Sequence, residues 1–427
     1  FEQAVCDVPW TSGSMASVFT GRYATYHGVR FGTDRLSDSV VTLAEVLRGH
    51  GWRTAAVIGS FPVASVYNLN QGFETYDEHL DTPMVPFVPE RKPRFHVKPV
   101  PKVNLDQPET FGPYFTDKIF NDAFRTDDAV TNAAARWLDE HHGAPFFFWV
   151  HYFGPHERVD PQQTPEQAAP RIVAQYDRDL AFTDQHVGRL LAHLDKLGLR
   201  ERVLVILHSD HGQSLGENGY VGHGENLYQA SLHIPLMMRW PGRIPAGVRV
   251  RGWVENVDIF PTILRALDMP SPVPLDGHQL LDFVEHAAPG RQQIGARRAA
   301  YSETFFPRLA LHDVSIPNRG VVSAYPSHRG LLGGNRMYVV TDLAPPCTAK
   351  DGRPISDDEC RALRSETLFD PLVDPQGQHD LTHADPSTLE QRRAAIAPYR
   401  TMTPVGSESA PLDDEAKRKL RALGYVW

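Results

Sequence analysis

The sequence predicts an α/β fold, a mostly parallel sheet sandwiched by helices, with a smaller α+β subdomain at its C-terminal end, and three observations carry that prediction. Amphipathic stretches of helical period are repeatedly followed by short strand-sized runs. Those runs are continuously apolar rather than alternating, as strands covered on both faces are. After about residue 290 the pattern changes to shorter strand candidates and then two helices, a different architecture from the repeating unit before it.

Taken in order, residues 42–48 form an amphipathic helical segment and residues 53–59 a buried strand, which together make one helix-then-strand unit. The unit recurs with a helix over 127–142 before a strand over 146–153, and with a long helix over 171–197 before a strand over 203–208. Between the first and second units, residues 82–113 are rich in proline and have no period, which predicts a long surface loop. Past residue 290, strands are predicted over 320–325 and 336–341, and helices over 386–399 and 413–423. The expected division is therefore an α/β domain over 1–290 and a C-terminal α+β subdomain over 291–427.

A chain of 427 residues with 41% hydrophobic content can bury one large core and a smaller second one. Its formal charge of -9 and the lack of any long Lys/Arg run give no reason to expect a nucleic-acid partner. The strongest apolar run, Pro145 to His151, is strand-sized and far short of the roughly 20 residues that cross a bilayer, so no membrane span is predicted. The sequence opens at Phe1 without an initiator methionine, and further residues are expected in front of it. Cys347 and Cys360 bracket a polar loop that a disulfide would stabilise by about 3 kcal/mol in an oxidising compartment. Two free thiols are the alternative, and Cys6 is the third cysteine.

Three clusters could carry chemistry. In Val8-Pro9-Trp10-Thr11-Ser12-Gly13-Ser14-Met15, small and hydroxyl residues precede a helical run, so Thr11 lies near a helix N-terminus, where free N–H groups favour an anion. Thr11 or Ser12 as a simple helix cap is the alternative. Asp210 and His211 follow the strand over 203–208, at the carboxyl edge where α/β sheets bind ligands, and the pair suits a divalent metal. His223 lies a short loop further on. His151 and His156 stand at the edge of the strand over 146–153, where an imidazole could neutralise an ester oxygen or protonate a leaving group.

The order of these clusters resembles the sulfatases and related phosphohydrolases of the alkaline phosphatase superfamily. The markers are Thr11 to Met15 with Thr20-Gly21-Arg22, Thr42 to Leu47 with Gly51 to Thr54, His151 to His156, Ser209 to Gly212, His223-Gly224, Ile234-Pro235-Leu236, Val257 to Thr262 and Asp276-Gly277. The tail from Leu368 to Pro375, with Leu423 to Tyr425, is similar to the family's C-terminal part. The resemblance implies an alkaline-phosphatase-like fold and a metal-dependent hydrolase of small anionic sulfate or phosphate esters. In it Thr11 is the metal-bound nucleophile, Asp210 and His211 are metal ligands, His156 and His223 meet the ester or its leaving group, and His151 and Ser14 help bind substrate. One or two divalent ions (Ca, Mg, Mn or Zn) and a periplasmic or extracellular location are implied as well.

Two departures qualify this expectation. The family's nucleophile is a Cys or Ser oxidised to formylglycine, whereas oxidation of a threonine would yield a ketone, so no formylglycine is expected at Thr11. A threonine there resembles the phosphodiesterases and the phosphoryl or phosphoethanolamine transferases of the superfamily. The acidic first strand that completes the family's metal site is expected to be missing before Thr11. An inactive binding module built on the same fold is the reading of another class.

Overall fold

The computed structural model describes residues 1–80, 123–156, 165–285, 287–288, 292–294, 299–305, 312–316, 319–406 and 408–422. The whole of the predicted loop over 82–113, and the tail from Leu423 to Tyr425, lie outside the described residues.

The chain begins with strand β1 (Gln3–Val5) and helix α1 (Thr11–Thr20), whose ten residues are all buried. Helix α2 (Leu43–Gly49) starts where the sequence placed it, because Thr42 and Glu45 form a reciprocal capping box: the Thr42 side chain accepts the Glu45 N–H while the Glu45 carboxylate accepts the Thr42 N–H. Strand β2 (Arg53–Val57) follows, then strand β3 (Thr75–Asp77), helix α3 (Asp127–His141), strand β4 (Phe146–Val150), the long helix α4 (Pro165–Lys196) and strand β5 (Val205–His208). Strands β3, β2 and β4 pair in that order, all parallel. β1 pairs in parallel with strand β7 (Trp253–Glu255), while β5 takes an antiparallel partner, strand β6 (Leu236–Arg239).

The aromatic run of β4 shows why its strand is apolar at every position. Phe146 and Phe148 face Trp137 and Leu138 of α3 and Leu190 and Leu194 of α4. Phe147, on the opposite side, meets Leu43, Val46 and Leu47 of α2 and Phe260 and Leu264 of helix α5 (Ile259–Ala266). Successive residues of a strand point to opposite faces, so helices on both faces demand hydrophobic side chains throughout. Phe19 of α1 closes the centre, edge-on to Trp149 at 4.8 Å and to Phe73 at 5.6 Å.

After these elements comes a six-stranded antiparallel sheet containing strands β8 (Ala300–Thr304), β9 (His312–Ile316), β10 (Gly320–Gly333), β11 (Arg336–Ala349) and β12 (Arg364–Phe369). The sequence predicted β10 and β11 as short strands, and the structure extends each to 14 residues as one long hairpin. Pro326, Pro345 and Pro346 interrupt the apolar pattern, and the register shifts between Ser323 and Tyr325 at a bulge; the pairing continues through both interruptions. Cys347 and Cys360 are joined as a disulfide, with Cα atoms 5.7 Å apart, tying β11 to the short helix α6 (Asp357–Ala362). Helix α7 (Pro386–Thr401) covers the sheet with Leu389 and Ile396.

The edge strand β8 meets the start of the chain. Glu303 N–H donates to the Asp7 carbonyl at 2.7 Å and the Ser302 hydroxyl to the Cys6 carbonyl at 2.9 Å, so the antiparallel sheet backs the segment that leads into α1.

Candidate functional site

Thr11 is the first residue of α1, and its hydroxyl lies 3.2 Å from His211 Nε2. The N-cap is Trp10, extended at φ -155° and ψ 152° with no side-chain cap, so neither Thr11 nor Ser12 caps the helix. Ser12 donates instead to the Pro62 carbonyl at 2.5 Å.

Asp210 and His211 come directly after β5. His211 Nδ1 lies 2.7 Å from the Gly212 carbonyl, which only an N–H can satisfy, so Nδ1 carries a proton. Nε2 lies 3.2 Å from the Thr11 oxygen and 3.4 Å from Asp210 Oδ2. Burial raises the Asp210 carboxyl pKa, yet His211, His151 and the Thr11 hydroxyl pull it below the ordinary carboxylate value, so the anion persists. Gly212 has to be glycine here, since a Cβ would come within 2.2 Å of the Ala230 carbonyl oxygen.

The imidazoles form a connected row. His223 stacks on His211 with centroids 4.2 Å apart, and His223 Nε2 lies 3.2 Å from His156 Nε2. Burial, then the neighbouring His211 and His156, hold the His223 pKa well below the usual histidine value. His151 stands behind this row, its Nδ1 accepting the Gly59 N–H at 3.3 Å, and burial lowers its pKa to about 4.

Ser14 is fully buried and does not face the cleft. It donates to the Asp210 carbonyl at 2.5 Å and receives Asn256 Nδ2 at 2.8 Å, bracing α1 against the end of β5. The sequence reading missed Asn256, whose Oδ1 also takes the N–H of Asp7 at 3.0 Å. It missed His208 as well, an imidazole near His151 whose own pKa burial lowers. His208 adjoins the Ser209-Asp210-His211 run and could have been weighed with it; Asn256 carried no chemical pattern of its own.

The chain does place a strand before Thr11, and an acidic residue follows it. Asp7, however, turns away from Thr11: its Oδ2 accepts the Ser17 hydroxyl at 2.5 Å, and burial raises its pKa to about 7. Among the described residues no group of three or more His, Cys, Asp or Glu side chains is arranged to hold a metal ion. Asp210 and His211 with the Thr11 hydroxyl nevertheless fit one side of a divalent site: a hydroxyl oxygen and a carboxylate oxygen lie 3.2 and 3.4 Å from one imidazole nitrogen, a donor set that suits such an ion.

A family model described as Sulfatase matches residues 1–269. The steryl-sulfatase of Rattus norvegicus is 31% identical over 169 residues, which are 36% of this chain and 29% of that protein. The chain thus spans less than a third of that relative's length. Among solved structures, a putative sulfatase from Bacteroides thetaiotaomicron VPI-5482 superposes with a TM-score of 0.64 at 15% identity, covering 98% of this chain and 88% of that one. The phosphonate monoester hydrolase of Agrobacterium radiobacter gives 0.62 at 18% identity, covering 93% and 87%. These structures share the fold, that of alkaline phosphatase.

Proposed function

The chain belongs to the sulfatase family, and on that premise we propose that it is a metal-dependent hydrolase of small sulfate or phosphate esters, with Thr11 as the nucleophile. The observation that carries the reading is the Thr11 hydroxyl at the first turn of a buried helix, 3.2 Å from His211 Nε2, with Asp210 Oδ2 3.4 Å from the same nitrogen.

The positive end of the α1 helix dipole draws the anionic ester toward Thr11. As the Thr11 oxygen bonds to sulfur or phosphorus, its proton passes to water in the cleft and the ester O–S or O–P bond breaks. The departing oxygen meets the His156–His223 pair, whose nitrogens stand 3.2 Å apart, and takes up the proton that Thr11 gave to water. Water then cleaves the Thr11 ester and returns the hydroxyl. A divalent ion held by Asp210, His211 and Thr11 would supply positive charge that favours ionisation of the hydroxyl and offsets charge building on the ester oxygens.

Sulfate and phosphate esters both suit this arrangement. The threonine and the structural likeness to a phosphonate monoester hydrolase weigh toward phosphorus. The test is turnover of aryl sulfate, phosphate monoester, phosphodiester and phosphonate monoester by the purified protein with Mn, Zn, Mg or Ca supplied in turn. We expect turnover of at least one class, a metal-dependent rise in melting temperature, and loss of activity to background in Thr11→Ala. No turnover with any metal would overturn the enzyme reading in favour of a binding module, and an undiminished Thr11→Ala rate would remove Thr11 as nucleophile.

A further inference from the structure

Behind the imidazole row, the loop that carries His156 is held by two side chains from different helices. Asp127, the first residue of α3, is 2% exposed. Its Oδ1 accepts the backbone N–H of Phe153 at 3.3 Å and of Gly154 at 3.2 Å, and its Oδ2 accepts the hydroxyl of Thr183 from α4. One turn further along α3, the Thr131 hydroxyl meets the Tyr152 hydroxyl at 2.9 Å.

Two more observations show how closely the loop is seated. A Cβ at Gly154 would lie 2.3 Å from both Asp127 Oδ2 and Thr183 Oγ1, so the backbone rests directly on this pair. The Phe153 ring stacks on the His156 imidazole with centroids 4.4 Å apart and planes 27° from parallel, and the His156 N–H donates to the Phe153 carbonyl at 3.2 Å. Any shift of Phe153 therefore moves His156 and its 3.2 Å approach to His223. None of these contacts reaches Thr11, Asp210 or His211.

We infer that Asp127 and Thr183 are positioning residues that fix the His156 imidazole against His223, and so govern departure of the leaving group without acting on the nucleophile. The inference rests on the proposed role of the His156–His223 pair and deepens it. A hydrogen-bonded, buried carboxylate can hold a backbone loop to a fraction of an ångström, and misplacement by about 1 Å of a group that acts in the transition state costs up to about 100-fold in rate.

The experiment compares Asp127→Asn, Thr183→Val and Thr183→Ser with the wild type by steady-state kinetics on a matched pair of esters, one with an aryl and one with an alkyl leaving group. In parallel, the histidine ring resonances are recorded by NMR after selective labelling. Asn and Val match the replaced side chains in size, and melting curves identify any variant that fails to fold. Loss of the carboxylate or the hydroxyl is expected to lower kcat on the alkyl ester about tenfold or more, with KM within about threefold and a smaller loss on the aryl ester, while Thr183→Ser, which keeps the hydroxyl, stays close to wild type. The His156 and His223 ring resonances should shift in Asp127→Asn and Thr183→Val and return in Thr183→Ser.

Folded variants with unchanged His156 and His223 resonances would overturn the inference, as would equal losses on the two esters. If the wild type turns over no ester, the proposed function fails by that result alone; the NMR comparison then decides whether Asp127 and Thr183 position His156.

Discussion

Within α1, the Ser17 hydroxyl lies between two buried titratable groups, 2.5 Å from Asp7 Oδ2 and 2.9 Å from His27 Nε2. Burial shifts both toward neutrality, raising Asp7 to about 7 and lowering His27 to about 3. Their effects on stability oppose each other. Between about pH 4 and 6.5 the unfolded chain ionises Asp7 while the folded chain keeps it protonated, so this group alone makes stability fall as pH rises. Over the same window the unfolded chain protonates His27 and the folded chain does not, so His27 makes stability fall as pH drops. The two slopes cancel while both groups are present. Asp7→Asn removes one of them, and unfolding free energies measured by denaturant at pH 4.5, 5.5 and 6.5 should show the variant losing stability toward acid more steeply than wild type, by about 1.4 kcal/mol per pH unit. Parallel pH profiles would contradict the opposed titration.

At the scale of elements, helix starts are set by local chemistry. The capping box of α2 uses a sequence pattern, Thr42 followed three residues later by Glu45, that works through contacts within one turn. Thr42 also donates to the Gln71 carbonyl at 2.9 Å, so it anchors the loop before β3 as well as the helix. Thr42→Ala should lower the unfolding free energy by about 1–2 kcal/mol, the cost of a lost cap, measured by denaturant titration. An effect within error would mean that water replaces the cap at no cost. α1 begins differently, on Trp10 with no side-chain cap, and its N-terminal turn is buried against β5. That is why the helix-cap alternative for Thr11 or Ser12 fails: the structure uses both hydroxyls elsewhere. The short lengths predicted for β10 and β11 failed for a related reason: prolines weaken the local signal of a strand, and cross-strand pairing to neighbours on both sides of β11 outweighs it.

For the whole molecule, the parallel strands and the antiparallel sheet join beside the site. β8 donates to the backbone around Cys6 and Asp7, and Tyr23 packs on Tyr301 with centroids 4.9 Å apart while its hydroxyl donates to Glu255 at 3.1 Å. The disulfide lies away from this seam, closing a 13-residue separation between β11 and α6 around a small cluster of Val322, Leu343 and Leu363. Its loss in Cys347→Ser with Cys360→Ser should lower the unfolding free energy by about 2–4 kcal/mol, with kcat unchanged because none of the site residues lies in that cluster. A matching loss of activity in the folded double variant would show that the two sheets are coupled more tightly than their contacts imply. Among the described residues no helix is long and apolar enough to cross a membrane.

The order of helices and strands, the aromatic β4, and the placing of Asp210, His211 and His156 beyond strand ends were legible from the sequence, because periodicity and strand-edge position are local properties of the chain. Side-chain direction was not. Ser14, expected in the cleft, turned inward to brace Asp210, and an acidic residue after a strand before Thr11 proved to be Asp7, committed to Ser17. The bracing groups Asn256, Asp127 and Thr183 had no pattern to mark them, because each acts through a hydrogen bond to a partner at least 26 residues distant in sequence. The sequence by itself determined the fold, the family and the candidate reactive side chains. Only the tertiary structure decided which of those side chains share one point in space and what holds them there, since the contacts that do so are long-range and form only when the strands and helices pack.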